Sequence, residues 1–415
     1  MIKKPELLAP AGDLEKLKVA FAYGADAVYM AGKQLGMRAK AKNFDLSEMQ
    51  EAVRYAHALG KKIYITANVF AHNQDLDGAA EYFKQLEAMH VDALIVSDLG
   101  LFQIACDAVP NMPIHISTQQ NTTNYASAAF WHKLGASRVV LARELSLTEI
   151  TQIHQKSPQV ELESFIHGSM CMAYSGRCFI SNYLTDRDAN RGACSQPCRF
   201  NYELVERKSG LSLPVYEDEQ GGYIFNSRDL NMVAHIPELI RAGISSFKIE
   251  GRMKTAYYVA VTTKIYREAL DDYMVSPDLY DSKLSHYRQE LEGVNHRGYT
   301  TGFYLGPMSG ADHAYDGDPR AITQDFLAMV LDYDAENGYA TIEQRNKFMV
   351  GDVVEVVQTR GANVICTVTE LLDEKNNPVD AAPHPKQILK FKTEHMLEPL
   401  NIIRKKIFLP NSNLL

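Results

Sequence analysis

Four of the six cysteines, Cys171, Cys178, Cys194 and Cys198, fall within twenty-eight positions of a 415-residue chain. Thiolate is the ligand that zinc and iron–sulfur centres favour, so this set predicts one metal site. Structural zinc sites commonly pair their ligands as C-x2–4-C, a spacing that only Cys194 and Cys198 approach. The wider gap from Cys171 to Cys178 leans towards a cluster, and spacing leaves zinc open as the alternative. Buried free thiols are a weaker account of four cysteines in one stretch. A disulfide is weaker too: no apolar leader run precedes the first charged residues, so the chain reads as cytoplasmic, where disulfides are disfavoured. Cys106 and Cys366 each have apolar neighbours and read as structural thiols.

A second set of candidates follows short apolar runs: Asn68, Gln119, Gln120, Arg143, Glu144, His167, Glu250 and Arg252. Arg143 and Arg252 suit a small carboxylate substrate, because a guanidinium binds a carboxylate through two parallel hydrogen bonds. The competing role for each is an ion pair with the adjacent Glu144 or Glu250. Asn68 and Gln119 join the arginines as substrate-binding candidates. His167, Glu163 and Glu250 are the candidate catalytic acids and bases; the bland roles are a hydrogen-bonded packing histidine and a buried acid with a partner. Strand alternation puts Lys248 and Glu250 on one face.

The elements that must carry these residues alternate. Strand patterns at Glu6–Ala9, Ala27–Met30, Ile63–Ala67, Ala93–Val96, Ile114–Ser117, Val139–Ala142, Leu162–Phe165 and Phe247–Glu250 are separated by amphipathic runs such as Asp13–Tyr23, Leu46–Leu59, Ala79–Met89 and Tyr125–Leu134. Several strands are continuously apolar, as in a parallel sheet buried on both faces. Eight such repeats predict an α/β fold of the TIM type, a (β/α)8 barrel over residues 1–277. The cysteines lie in an insertion, 168–228, between the seventh strand and a helix expected near Asp229; it leaves the barrel at the face where active sites form. Residues 278–324 read as an irregular connector. From 325 to 408, short alternating runs with Asn-Gly, Gly-Asp and Arg-Gly punctuation predict a small all-β, barrel-like C-terminal domain.

The run Glu163, Phe165, Gly168, Ser169, Met170, Cys171, Gly176, Cys178, Ile180 and Ser181 resembles, without gaps, the signature of the collagenase-like peptidase family of unassigned catalytic type. Further stretches extend the resemblance over nearly the whole chain: LLAPAGDLEKLKVAFAYGADAVYMAG, STQQNTTN, LARELSL, NSRDL and SFKIEGRMKTAYYVA. Within that family the chain is most similar to the tRNA uridine 5-hydroxylation proteins, whose relatives act on ribosomal RNA or ubiquinone precursors. The resemblance implies the barrel, a 4Fe-4S cluster on the four cysteines, prephenate as a hydroxyl source and tRNA as partner. Its alternative is a collagenase-like peptidase, metal-dependent or of unassigned type. The sequence carries no H-E-x-x-H and no G-x-S-x-G, and a metal-bound cysteine is no free nucleophile.

Net charge is −8, which argues against a surface built for sequence-independent nucleic-acid binding and makes any RNA contact local. Two basic stretches could supply it: Arg187, Arg191, Arg199, Arg207 and Lys208, and Lys386, Lys390, Lys392, Arg404, Lys405 and Lys406. Tyr174 and Tyr183, beside the cysteines, are candidates for stacking a base. No apolar run has the length of a membrane span. A partner protein or a homo-oligomer is left open.

Overall fold

The computed structural model describes residues 3–36, 42–171, 173–199, 217–218, 221–222, 227–309, 312 and 323–407. Eight strands form the closed parallel barrel: β1 (Glu6–Pro10), β2 (Ala27–Ala31), β3 (Lys62–Ala67), β4 (Ala93–Val96), β5 (Ile114–Ile116), β6 (Arg138–Val140), β7 (Glu161–Ser169) and β8 (Ser246–Ile249). Each pairs with its neighbour in sequence, and β8 closes the ring by pairing with both β7 and β1. The intervening helices begin on residues chosen for that job: the side chains of Asp13, Asp45, Asp98, Asn124, Ser146 and Thr255 each accept a backbone N–H of the first turn.

Alternation along the strands sorts the core into two layers. Leu8, Ala27, Tyr29, Tyr64, Ala93 and Ile95 pack inside the ring, while Leu7, Val28, Ile63, Ile65, Leu94 and Phe247 face the helices. The inner layer also buries charge. Glu163, fully buried, lies 2.6 Å from Lys248 Nζ and 3.2 Å from Arg138, and Arg138 reaches Glu6 at 2.6 Å. Such a network is costly to break because any one removal strands a buried charge. Burial lowers the Lys248 pKa despite Glu163.

Two sequence expectations need correction here. Asp229 starts a short strand, Asp229–Asn231, antiparallel to the end of β7, and the helix begins only at Ile236. Residues 277–292 are not irregular: Pro277–Ser282 and Leu284–Glu292 are helices, the first capped by Ser276, and Tyr299–Thr300 pairs with Asp229–Asn231. These elements pack against the helix Ala256–Val275 and extend the barrel domain.

The C-terminal domain is an antiparallel seven-stranded sheet around Leu327, Val330, Ile342, Val354, Val356, Leu389, Phe391 and Ile403. It is joined to the barrel by polar contacts in an otherwise apolar seam. Tyr23 donates to Val357 O at 2.7 Å, and Lys264 donates to Gln358 O, Gly361 O and Asn363 Oδ1 at 2.8–2.9 Å. Arg404, with no exposed surface, ion-pairs Glu290 of the barrel domain and Glu355 of its own sheet at 2.8 Å each.

Candidate active site

A cavity of about 510 Å³ opens at the C-terminal end of the barrel strands, beneath the cysteine-bearing segment. Its wall takes Tyr29, Thr66, Asn68, Gln119, Phe165, Lys248, Glu250 and Arg252 from the barrel, and Cys171, Cys178 and Cys194 from the insertion. Arg143, Lys248, Arg252, Lys254 and Arg297 line it, and Glu250 is the one carboxylate among the described lining residues. Three of the five cations are tied to acids behind the wall: Lys248 to Glu163 at 2.6 Å, Arg297 to Asp229, and Lys254 to Asp229 at 3.9 Å. The Arg143 guanidinium lies over the Phe165 ring, 3.9 Å from its centroid, and donates to Ser169 O at 2.8 Å. Its Nε is buried without a hydrogen-bond partner among the described residues. Arg143 Nη2 lies 4.0 Å from Glu250 Oε2, and Arg252 donates to Thr66 Oγ1 at 3.2 Å.

Sequence reasoning missed Tyr29, which looks like one more apolar strand residue. It occupies an inward position near the end of β2, and its hydroxyl donates to Ile249 O at 3.0 Å and Glu250 Oε2 at 3.2 Å. Lys248 lies 4.5 Å from its ring centroid. Burial, and then the Glu250 charge, push the phenol well above its usual pKa, so it stays a donor. The available signal was the period of two that places Ala27 and Tyr29 on one face.

Two of the three catalytic candidates lie away from the cavity. Glu163 belongs to the charge network below it. His167 sits on the outer face of β7, its ring 5.4 Å from Tyr266, 5.9 Å from Tyr258 and 5.5 Å from Tyr299. The cause is a register irregularity: Lys248 pairs with Phe165 but Ile249 pairs with His167, so one extra residue in β7 reverses the alternation. Burial, with His296 and Lys254 nearby, holds the imidazole pKa at about 3, and it packs as a neutral ring. Glu250, Arg143, Arg252, Asn68 and Gln119 do converge on the cavity. Gln120 and Glu144 do not line it; burial raises the Glu144 pKa.

The insertion is fastened over the mouth by its own polar residues. Arg191 forms a two-pronged ion pair with Asp75 at 2.6 and 2.8 Å, and this bond holds the Asp75 pKa down at about 2. Arg187 donates to Ala193 O at 2.9 Å, and Ser195 bonds Ser181 and Thr185 at 3.0 and 2.7 Å. These arginines are spent on the fold of the segment instead of forming a basic surface. Arg207, Lys208 and the Arg199 side chain, like most of 200–226, lie outside the described residues. Two glycines of the signature are there for space. A Cβ at Gly168 would stand 2.6 Å from Glu250 O, and one at Gly176 2.5 Å from a Phe70 ring carbon; both have positive φ.

The donor chemistry of the cysteines suits a soft metal centre in type. All are free thiols, and the Gln196 backbone N–H donates to Cys194 Sγ at 3.3 Å. Their expected convergence is not seen. Cys198 lies in the turn Pro197–Arg199 and does not line the cavity, and among the described residues no three Cys, His, Asp or Glu side chains are grouped to hold one ion. Cys106 and Cys366 lie elsewhere, on the helix Leu99–Ala108 and the strand Val364–Thr367.

Comparison with known proteins agrees with this architecture. The chain is 42% identical over 97% of its length to tRNA hydroxylation protein P1 of Bacillus subtilis, covering 95% of that protein. It is 37% identical over 92% of its length to tRNA hydroxylation protein P of Escherichia coli, covering 92%. A collagenase of Porphyromonas gingivalis is 31% identical over 88% of the chain and 89% of its own length. Residues 12–313 match the model of peptidase family U32 and residues 322–404 that of the peptidase family U32 C-terminal domain. The chain therefore belongs to peptidase family U32.

Proposed function

We propose that the protein hydroxylates RNA, with the wobble uridine of tRNA as target, and that a small carboxylate of the prephenate kind occupies the cavity during the reaction. The observation that carries the reading is the cavity itself: Arg143 and Arg252 beside Glu250 in the barrel mouth, under a thiol-bearing cover. The names of the Bacillus subtilis and Escherichia coli relatives support the choice of RNA and of hydroxylation. In this scheme Arg143, with its unpartnered Nε, and Arg252 hold the carboxylates, while Asn68 and Gln119 orient the remaining polar groups. Glu250 carries the proton that the reaction moves, kept in place by the Tyr29 hydroxyl. The segment 171–198 excludes water from the mouth.

Cys171, Cys178, Cys194 and Cys198 are the residues that would hold a 4Fe-4S cluster, which requires the segment to draw the four thiols together; zinc is the alternative occupant. A cluster would supply one-electron redox chemistry at the barrel mouth. A peptidase reading has less to build on, since among the described residues no histidine lines the cavity to serve a Ser or Cys nucleophile.

The test is nucleoside analysis of RNA from cells in which Cys178→Ala replaces the natural chain, alongside absorption and electron paramagnetic resonance of anaerobically reconstituted protein. The hydroxylated nucleoside should disappear while the thermal transition of the barrel stays within a few degrees, because the barrel core does not include Cys178. An intact modification, or gelatin hydrolysis by metal-replete protein that Cys178→Ala removes, would overturn the proposal in favour of a peptidase.

A further inference from the structure

Outside the cavity the same segment forms a second hollow, of about 470 Å³, lined by Asn121, Thr123, Ala173, Tyr174 and Arg177. The two hollows are separated by the thickness of the chain at 175–177: Ser175 and Gly176 face the cavity, and Arg177 faces the second hollow. We propose that this second hollow receives the base next to the modified nucleotide, so that a splayed single-stranded RNA places one base in the cavity and its neighbour between Tyr174 and Arg177. The proposal rests on RNA as the substrate of the cavity and adds where the flanking nucleotide binds.

Three observations carry it. The first is the presence of two planar side chains at the rim. Tyr174 is 46% exposed, and Arg177, also exposed, has its guanidinium 4.9 Å from the Phe70 ring centroid. Aromatic and guanidinium planes are the surfaces on which unpaired bases stack. The second is availability of charge. Arg187 and Arg191 are committed within the segment, whereas no carboxylate pairs with Arg177 among the described residues. It is thus a positive group on the outer face of the segment suited to the nucleotide's phosphate. The third is a link to the cavity. Asn121, in a left-handed conformation at φ 52°, donates through Nδ2 to Gln119 O at 2.9 Å. That bond ties the second hollow to Gln119 of the cavity wall. Further along the segment, Phe179 and Tyr183 are 71% and 87% exposed.

The hollow is matched to single-stranded RNA and not to a duplex, because a stacked and paired base presents no free face to Tyr174. Stacking and charge are alike for all four bases, so little sequence preference is expected.

The experiment uses the full-length protein and a fluorescein-labelled single-stranded RNA heptamer with uridine at its centre, read by anisotropy. A second heptamer carries 2-aminopurine beside that uridine as a stacking reporter. Tyr174→Ala and Arg177→Ala should each weaken binding about tenfold, as expected for losing one stacked base, and Tyr174→Ala should abolish the 2-aminopurine quenching seen with the natural protein. Tyr174→Phe, which keeps the ring, should restore both. Because the two residues are exposed, melting curves of all variants should overlay. Equal affinity and equal quenching in natural protein and Tyr174→Ala would overturn the second hollow and leave the RNA reading of the cavity standing. If the natural protein binds neither heptamer, the RNA reading fails and this proposal with it. Binding of a gelatin peptide that Tyr174→Ala alone disrupts would likewise overturn it.

Discussion

His167 illustrates how one backbone irregularity decides a residue's role. Read by alternation from Glu163, it belongs in the barrel; the extra residue in β7 turns it outward among Tyr258, Tyr266 and Tyr299, and a register shift leaves no mark in composition. A neutral buried imidazole has a defined pH signature. With the folded pKa at about 3 and an unfolded value of ~6.5, the unfolded chain binds a proton that the folded chain lacks throughout that window. Stability from this group is therefore complete above pH ~6.5 and declines as pH falls, by at most ~1.4 kcal/mol per pH unit. His115, also buried with a lowered pKa, acts in the same direction. Denaturant unfolding between pH 7 and 5 should show the decline, and His167→Phe should flatten part of it while leaving the cavity residues in place. A slope unchanged in His167→Phe would mean that the imidazole titrates alike in the folded and unfolded chains. Arg404 was misread for a related reason. Counting Lys and Arg near the C-terminus finds a basic surface, but counting does not see that Arg404 is sealed between Glu290 and Glu355.

Among the elements, the barrel strands were legible because burial on both faces makes them short continuous apolar runs, and several helices because they open on a capping side chain such as Asp13, Asp45, Asp98 or Asn124. The helices at 277–292 were not. Pro277, Asp278, Ser282 and Gly293 look like punctuation, yet Pro in a first turn and Ser276 at the cap start a helix as readily as they mark a turn. The cysteine segment was legible by its length, whereas its attachment was not, since Arg191 and Asp75 are 116 positions apart. That attachment makes its own prediction. Arg191→Ala, or Gly176→Ala with its Cβ against Phe70, should release the segment and speed limited proteolysis within 171–198 severalfold, with the barrel transition little changed. In the natural protein the same release should appear on acidification. The Asp75 pKa is depressed to about 2, so its contribution is present above the unfolded value of 3.8 and is lost as pH falls through about 2. Equal cleavage rates in natural and variant proteins would show that the clasp does not hold the segment.

For the whole molecule, the seam between the domains is the feature to test. Arg404→Ala leaves Glu290 and Glu355 facing each other without their cation, and breaking a buried pair in this way costs about 3–5 kcal/mol. Calorimetry should show a lowered transition, with the β-domain separating from the barrel. A single transition at the natural temperature would mean that the apolar contacts suffice. The division into a barrel and a β-sheet domain was readable from the change in period after residue 325. The cavity's charge was readable only residue by residue, because strands far apart in sequence contribute Arg143, Lys248 and Arg252.

The seam also bears on the order in which the chain is made. Tyr23 and Lys264 belong to the helices that follow β1 and β8, the pair that closes the ring, and the C-terminal domain grips both. During synthesis β1 waits for β8, about 240 residues later, and the grip across that junction arrives only when the strands from Val353 to Lys406 have emerged. Contacts so distant in sequence slow folding. A ribosome paused between the two domains would hold a ring whose first and last units have met but have not yet been fastened.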